Sequence, residues 1–219
     1  MSIRDERKQQ SRQALLDAAL ALNTSGRSFS SISLREIARH VGLVPTAFYR
    51  HFQDMNELGL ELVDQVALHL KGIFHQLGQA YIYQPDTETQ ISLDLFFQAV
   101  EHHPEPWVFM IAERWGGSEV IRQAIAREIN FLIEDLANDL GQIEAMQHIG
   151  NTQDLQVFSN ILINLSFTWA MTWMDINRHY QAEERLEQQK QFKLQTMTQV
   201  HLIFRGISNW DPSKDSVSS

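Results

Sequence analysis

The sequence predicts an all-α chain of about nine helices. Three observations carry that expectation: apolar residues recur at spacings of three and four from end to end, no β-branched run alternates with period two, and no Asn-Gly or Asp-Gly hairpin turn occurs. Leu15, Ala18, Ala19 and Leu22 place a first helix over about 8–25, with Gly26 as its stop. Ser33 stands three residues before Glu36, the spacing of a capping box, and opens a short second helix that stops at Gly42. A third starts at Pro45, a first-turn position where the missing N–H costs nothing, and ends at Phe52.

Asp54 caps a fourth helix through roughly residue 79, with Leu58, Leu62, Val66, Leu70 and Phe74 four apart on one face. Gly59, Gly72 and Gly78 inside it each cost about 1 kcal/mol relative to alanine, so they mark close packing, a bend or an earlier helix end. After a break at Tyr83-Gln84-Pro85-Asp86, helices follow over 88–102, 106–115, 118–140, 153–179 and 182–208. Their punctuation is Pro104 and Pro106, Gly116-Gly117, Gly141 and Gly150-Asn151-Thr152. The polar tail over 211–219 is expected to fray. Ser159, Asn160, Asn164, Ser166, Thr168 and Thr172 interrupt the apolar stretch 157–174, whose runs fall short of the ~18 residues of a membrane span. A buried helix of a soluble protein is the expectation there.

The 219 residues include no cysteine, which excludes a disulfide scaffold, cysteine–zinc ligation and thiol catalysis. The first eight residues contain no apolar run, so a cytoplasmic protein without a secretion signal is expected. The formal charge of −9 argues against nucleic acid only as a total. Residues 1–52 carry eight Lys/Arg against four acids, a net of +4, and residues 53–219 carry −13. Association with a polyanion responds to the local field, so a basic head on an acidic body keeps DNA in play.

The second and third helices, joined by a short turn at Gly42, have the helix-turn-helix arrangement, which presents its second helix to the DNA major groove. Thr46, Ala47, Tyr49, Arg50 and His51 suit that helix: hydroxyls, Arg and His supply donors to phosphates and base edges, while Ala47 and the Thr46 methyl can meet a thymine methyl. Phe48 and Phe52 are expected to anchor the helix inward. The run from Ile32-Ser33-Leu34-Arg35-Glu36-Ile37-Ala38 through Val41-Gly42-Leu43-Val44-Pro45-Thr46-Ala47-Phe48-Tyr49-Arg50-His51-Phe52 resembles the DNA-binding signature of the tetracycline-repressor (TetR) family. Met55 stands where many members place a lysine, with Gln53 or Asn56 as neutral donors nearby. Glu57-Leu58-Gly59-Leu60, Glu113-Arg114-Trp115-Gly116-Gly117 and Ala126-Arg127-Glu128-Ile129 extend the likeness to the FabR/DesT branch, repressors of unsaturated fatty-acid synthesis that sense long-chain acyl thioesters.

That resemblance implies a DNA-binding domain over 1–53, a linking helix over 54–79, a ligand-binding and dimerising domain over 80–210 and a flexible tail beyond. Candidate DNA contacts are Ser33, Arg35, Pro45, Thr46, Ala47, Tyr49, Arg50 and His51, with Tyr49 and His51 on phosphates and Thr46, Ala47, Arg50 and Arg35 on bases. The expected partner is double-stranded palindromic operator DNA, bound by a homodimer in major grooves ~34–36 Å apart. Candidate effector contacts are Phe74, Phe96, Phe97, Val100, Phe109, Met110, Phe131, Trp169 and Trp173, with Arg114 near a thioester carbonyl or phosphate. Leu155, Phe158 and Leu162 on one long helix and Leu194, Met197, His201 and Phe204 on the next form seams suited to a four-helix dimer interface.

The expected effector is hydrophobic, an acyl-CoA or acyl-carrier-protein, with unsaturated chains favouring DNA binding and saturated ones release. A cationic or hydrophobic drug sensed by an efflux-pump repressor is the alternative. Neither an enzyme, a cofactor, a metal site nor a membrane partner is expected. His102-His103 beside Glu101 and Glu105 lack metal-ligand spacing, and no phosphate-binding or nucleophile motif occurs.

Overall fold

The computed structural model describes residues 3–83, 88–149 and 151–210, except the side chains of 78–83, 88, 145 and 148. The expected break at 84–87, Gly150 and the tail 211–219 lie outside the described residues. Among the described residues there are nine α-helices and no strand: α1 (Ile3–Thr24), α2 (Leu34–His40), α3 (Pro45–Phe48), α4 (Met55–Tyr83), α5 (Glu88–His102), α6 (Pro104–Gly116), α7 (Glu119–Gly141), α8 (Thr152–His179) and α9 (Ala182–Ser208). No helix among these residues is long and apolar enough to cross a membrane.

Most boundaries follow from the expected caps. The Ser33 hydroxyl accepts from the Glu36 N–H at 3.3 Å, and the Glu36 carboxylate accepts from the Ser33 N–H at 2.9 Å, which completes the capping box. Gly42, at φ 71°, turns the chain between α2 and α3 in a conformation that L side chains avoid. The Asp54 carboxylate accepts from the Glu57 N–H at 2.9 Å and caps α4.

Four local features differ from expectation. α1 begins at Ile3 rather than Lys8, with Asp5 and Glu6 complementing the positive end of its dipole. α3 ends at Phe48 rather than Phe52, because the hydrogen bonds of Arg50 to Ala47 and His51 to Phe48 tighten to i→i−3. Two 3-10 segments, Phe29–Ser31 and Glu144–Ile149, were not apparent from helical spacing.

Packing groups the chain into two compact units, Met1–Leu70 with His103–Ile129, and Lys71–His102 with Asn130–Ser219. α4 and α7 contribute residues to both. In the first unit, Leu15, Leu16, Ile37, Phe48, Phe52, Leu58 and Phe109 are buried. In the second, Ala137, Leu140, Met146, Leu155, Phe158 and Ile207 form one cluster, and Phe97 stacks on Trp173 with centroids 4.3 Å apart.

The glycines of α4 divide by environment. A Cβ at Gly59 would lie 2.6 Å from Ile121 Cδ1 and 2.8 Å from the Phe29 ring, whereas at Gly72 it would meet nothing within 4 Å. Gly78 is outside the residues whose side-chain surroundings are described. Gly59→Ala is therefore expected to destabilise the protein by about 1–3 kcal/mol through overpacking. Gly72→Ala is expected to stabilise it by roughly 1 kcal/mol through helix propensity. Denaturant midpoints of the two variants should move in opposite directions.

Candidate nucleic-acid interface and ligand cavity

The head is built on two buried rings. Phe48 and Phe52 are fully buried with centroids 5.5 Å apart, so the one-turn α3 is pinned by its inner face. Pro45, Thr46 and Arg50 are exposed on its outer face, Ala47 is half-buried, and Tyr49 is 62% exposed with its ring edge-on to Phe48 at 5.9 Å. An exposed aromatic hydroxyl on a rigid turn can reach a partner without disturbing the core. Ser33 and Arg35 are exposed at the start of α2. The Ser33 hydroxyl and N–H are engaged with Glu36, so a phosphate there would meet the remaining amides of the first turn.

His51 is half-buried, and its Nδ1 has no hydrogen-bond partner among the described residues. Burial pushes its pKa below the ordinary value, and the neighbouring charges of Arg12, Lys8 and Arg50 push in the same direction. The lowered pKa favours the neutral imidazole, and Lys8 and Arg50 beside it are cations that attract an anion.

Arg12 has a role that sequence reasoning missed. Its guanidinium lies 4.1 Å above the Phe52 ring, donates to Glu61 Oε1 at 2.9 Å, and donates to the His51 carbonyl. It therefore joins α1, the turn after α3 and α4. In the sequence it is one of the head's eight bases, and only Glu61, distant in sequence, reveals the pairing. Arg27 is similarly engaged with Glu36 at 2.9 Å.

The Arg27 hydrogen bond, followed by those of the Ser33 backbone and hydroxyl, holds the Glu36 carboxyl at about 2, below its ordinary 4.5. A depressed carboxyl stabilises the fold above the unfolded-state value and ceases to do so as pH falls through the folded one. Acid unfolding of the wild type is therefore expected to show a loss between about pH 4.5 and 2 that Glu36→Gln lacks, measured by circular dichroism.

A cavity of about 150 Å³ lies within the second unit. Phe74, Phe96 and Trp169 line it, as do Leu162 and Phe204 from the expected dimer seams. Trp169 Nε1 donates to Gln199 at 2.7 Å, which fixes the indole as a wall, and Phe96 meets it edge-on at 6.2 Å. The polar lining consists of Thr89, Ser92 and Ser166, and no charged side chain lines it among the described residues. Leu77, Leu93, Leu136, Leu140, Ile143, Ile163 and Val200 complete the wall.

The other expected effector contacts fall elsewhere. Phe97 and Val100 are buried on α5, and Trp173 stacks on Phe97. Phe131 is 50% exposed. Phe109, Met110 and Arg114 belong to the first unit, where Phe109 packs edge-on against Phe29 at 6.0 Å and burial lowers the Arg114 pKa. Of the expected dimer seam, Leu155 and Phe158 are buried in the second unit's own core. Leu194 and His201 are exposed on α9 and Met197 is half-buried.

Also missed was Glu113, fully buried in the first unit. Its Oε1 accepts from the Phe29 N–H at 2.7 Å and from Asn23 Nδ2 at 3.0 Å. A Cβ at Gly117 would lie 2.9 Å from Oε2, so the spacing Glu113…Gly117 has a steric basis.

Comparison with known families covers both parts of the chain. Residues 15–62 match the family model described as "Bacterial regulatory proteins, tetR family", and residues 85–196 match "Tetracyclin repressor-like, C-terminal domain". With a pinned reading turn in the first match and an apolar cavity in the second, the chain belongs to the TetR family and is one of its DNA-binding transcriptional regulators.

Proposed function

We propose that this regulator is a homodimeric repressor of unsaturated fatty-acid synthesis genes whose effector is a long-chain acyl thioester, either acyl-CoA or acyl-carrier-protein. The observation that carries this reading is the chemistry of the cavity: aliphatic and aromatic walls, three hydroxyls and no charged side chain among the described lining residues. A flexible apolar chain gains by transfer from water to such a space, about 0.8 kcal/mol per buried CH₂. A cation there would lose hydration without a carboxylate in return, which disfavours the efflux-pump alternative.

Exposed Val157 and Ile161 on α8 and Leu202 on α9 offer an apolar face for a second copy, in place of the buried Leu155 and Phe158. Dimerisation would set two reading turns on a two-fold operator. α4 and α7 carry residues of both units, so a ligand that favours one arrangement of these helices changes operator affinity, within the limit of its differential affinity for the two states. Unsaturated chains favour DNA binding and saturated chains favour release.

Calorimetry on the full chain tests the ligand class. Oleoyl-CoA is expected to bind and to alter retardation of operator DNA upstream of a desaturase gene. Binding of the lipophilic cation tetraphenylphosphonium without binding of oleoyl-CoA would reverse the assignment.

A further inference from the structure

The uncharged cavity leaves open where the polar end of its ligand goes, and two neighbouring grooves share its walls. One shares Phe74 and Leu136 and contains Lys71 and His75. There Lys71 pairs with Asp135 at 2.6 Å and His75 faces Asp139 at 3.5 Å, so both basic side chains have carboxylates opposite them. The other shares Leu93 and contains Lys190 and Lys193 with one carboxylate, Asp94. Its formal charge is positive, although residues 53–219 carry −13 overall.

We propose that the Lys190/Lys193 groove holds the anionic head of an amphiphile whose chain fills the cavity, with the ligand passing over Leu93. This rests on the reading of the cavity as an acyl-chain site and adds the ligand's orientation and the chemistry of its head. Lys193 is held in place, with Nζ 2.5 Å from Asp94 Oδ1 and 5.3 Å from the Trp173 ring centre. Lys190, one turn earlier on α9, is exposed in the same groove. Beside Leu93, on the cavity side, the Ser92 hydroxyl is buried with no hydrogen-bond partner among the described residues. An unpaired buried hydroxyl is a donor awaiting an acceptor, and an ester or thioester carbonyl at the junction of chain and head supplies one. A phosphate-bearing thioester supplies both a carbonyl acceptor for Ser92 and an anion for the lysine groove.

The test compares oleoyl-CoA, oleate and methyl oleate on the full chain, in the wild type and in Lys190→Glu and Lys190→Arg. Oleoyl-CoA affinity is expected to fall about tenfold in Lys190→Glu, to recover in Lys190→Arg, and to weaken with salt in the wild type. Methyl oleate should bind all three proteins alike. An equal loss for oleate would place a carboxylate, not a phosphate, over Lys190 and overturn the thioester orientation. Unchanged oleoyl-CoA binding in Lys190→Glu would overturn the head site while leaving the cavity reading intact. If neither oleoyl-CoA nor methyl oleate binds the wild type, the cavity reading itself falls, and the head site with it.

Discussion

Replacing Tyr49 and His51 together by alanine is expected to weaken operator binding more than a hundredfold while the thermal melt stays near that of the wild type. The separation follows from how the two side chains are held. Tyr49 is 62% exposed and His51 Nδ1 has no partner among the described residues, so little in the folded protein depends on either group. Against DNA each can donate to a phosphate, and a hydrogen bond to a charged group contributes about 1.5–3 kcal/mol. Two such losses amount to a factor of more than a hundred, at about 1.4 kcal/mol per tenfold. Phe48→Ala is the contrasting variant. Its ring is fully buried, and its removal costs about 3–5 kcal/mol of stability before DNA is involved. Retardation assays beside melting curves distinguish the two classes. Operator binding by the Tyr49/His51 variant at wild-type affinity would refute the placement of the reading turn.

The parts of this molecule that were legible from sequence are those set by neighbours a few residues apart. The capping box of Ser33 and Glu36, Pro45 at the start of α3 and Asp54 before α4 are local chemistry, and helix boundaries followed from them. Gly42 was legible for the same reason, since a positive φ restricts residue choice at one position. What stayed hidden depends on partners far along the chain. Arg12 counted as one more base of the head until Glu61 and Phe52 came beside it. The body shows the same limit within a single pair of residues. Phe96 lines the cavity while Phe97 stacks on Trp173, yet both are apolar residues on one helix. An apolar side chain gains from leaving water whether it meets a packed neighbour or a ligand, so periodicity alone cannot separate the two.

Glu113→Ala is expected to lower stability by about 1–3 kcal/mol, the cost of leaving a buried donor without its acceptor. The carboxylate lies where α6 meets α1 and the 3-10 turn at Phe29, and one oxygen serves two donors. Without it, the Phe29 N–H and the Asn23 amide lose their shared acceptor inside the first unit. Asn23 retains a 3.0 Å bond to the Arg27 carbonyl, so the Phe29 N–H bears most of the loss. For a chain of this length, such a change lowers the melting temperature by roughly 5 °C. Glu113→Gln keeps an acceptor in place and is expected to cost far less, because the amide oxygen can take the same two bonds. The ordering Ala below Gln below wild type distinguishes an acceptor requirement from a packing one. Glu113→Met, similar in bulk but a poor acceptor, should then melt near the alanine variant. Melting of Glu113→Met at the glutamine temperature would show that volume, not the hydrogen bond to Phe29, holds α6 against α1 and the 3-10 turn.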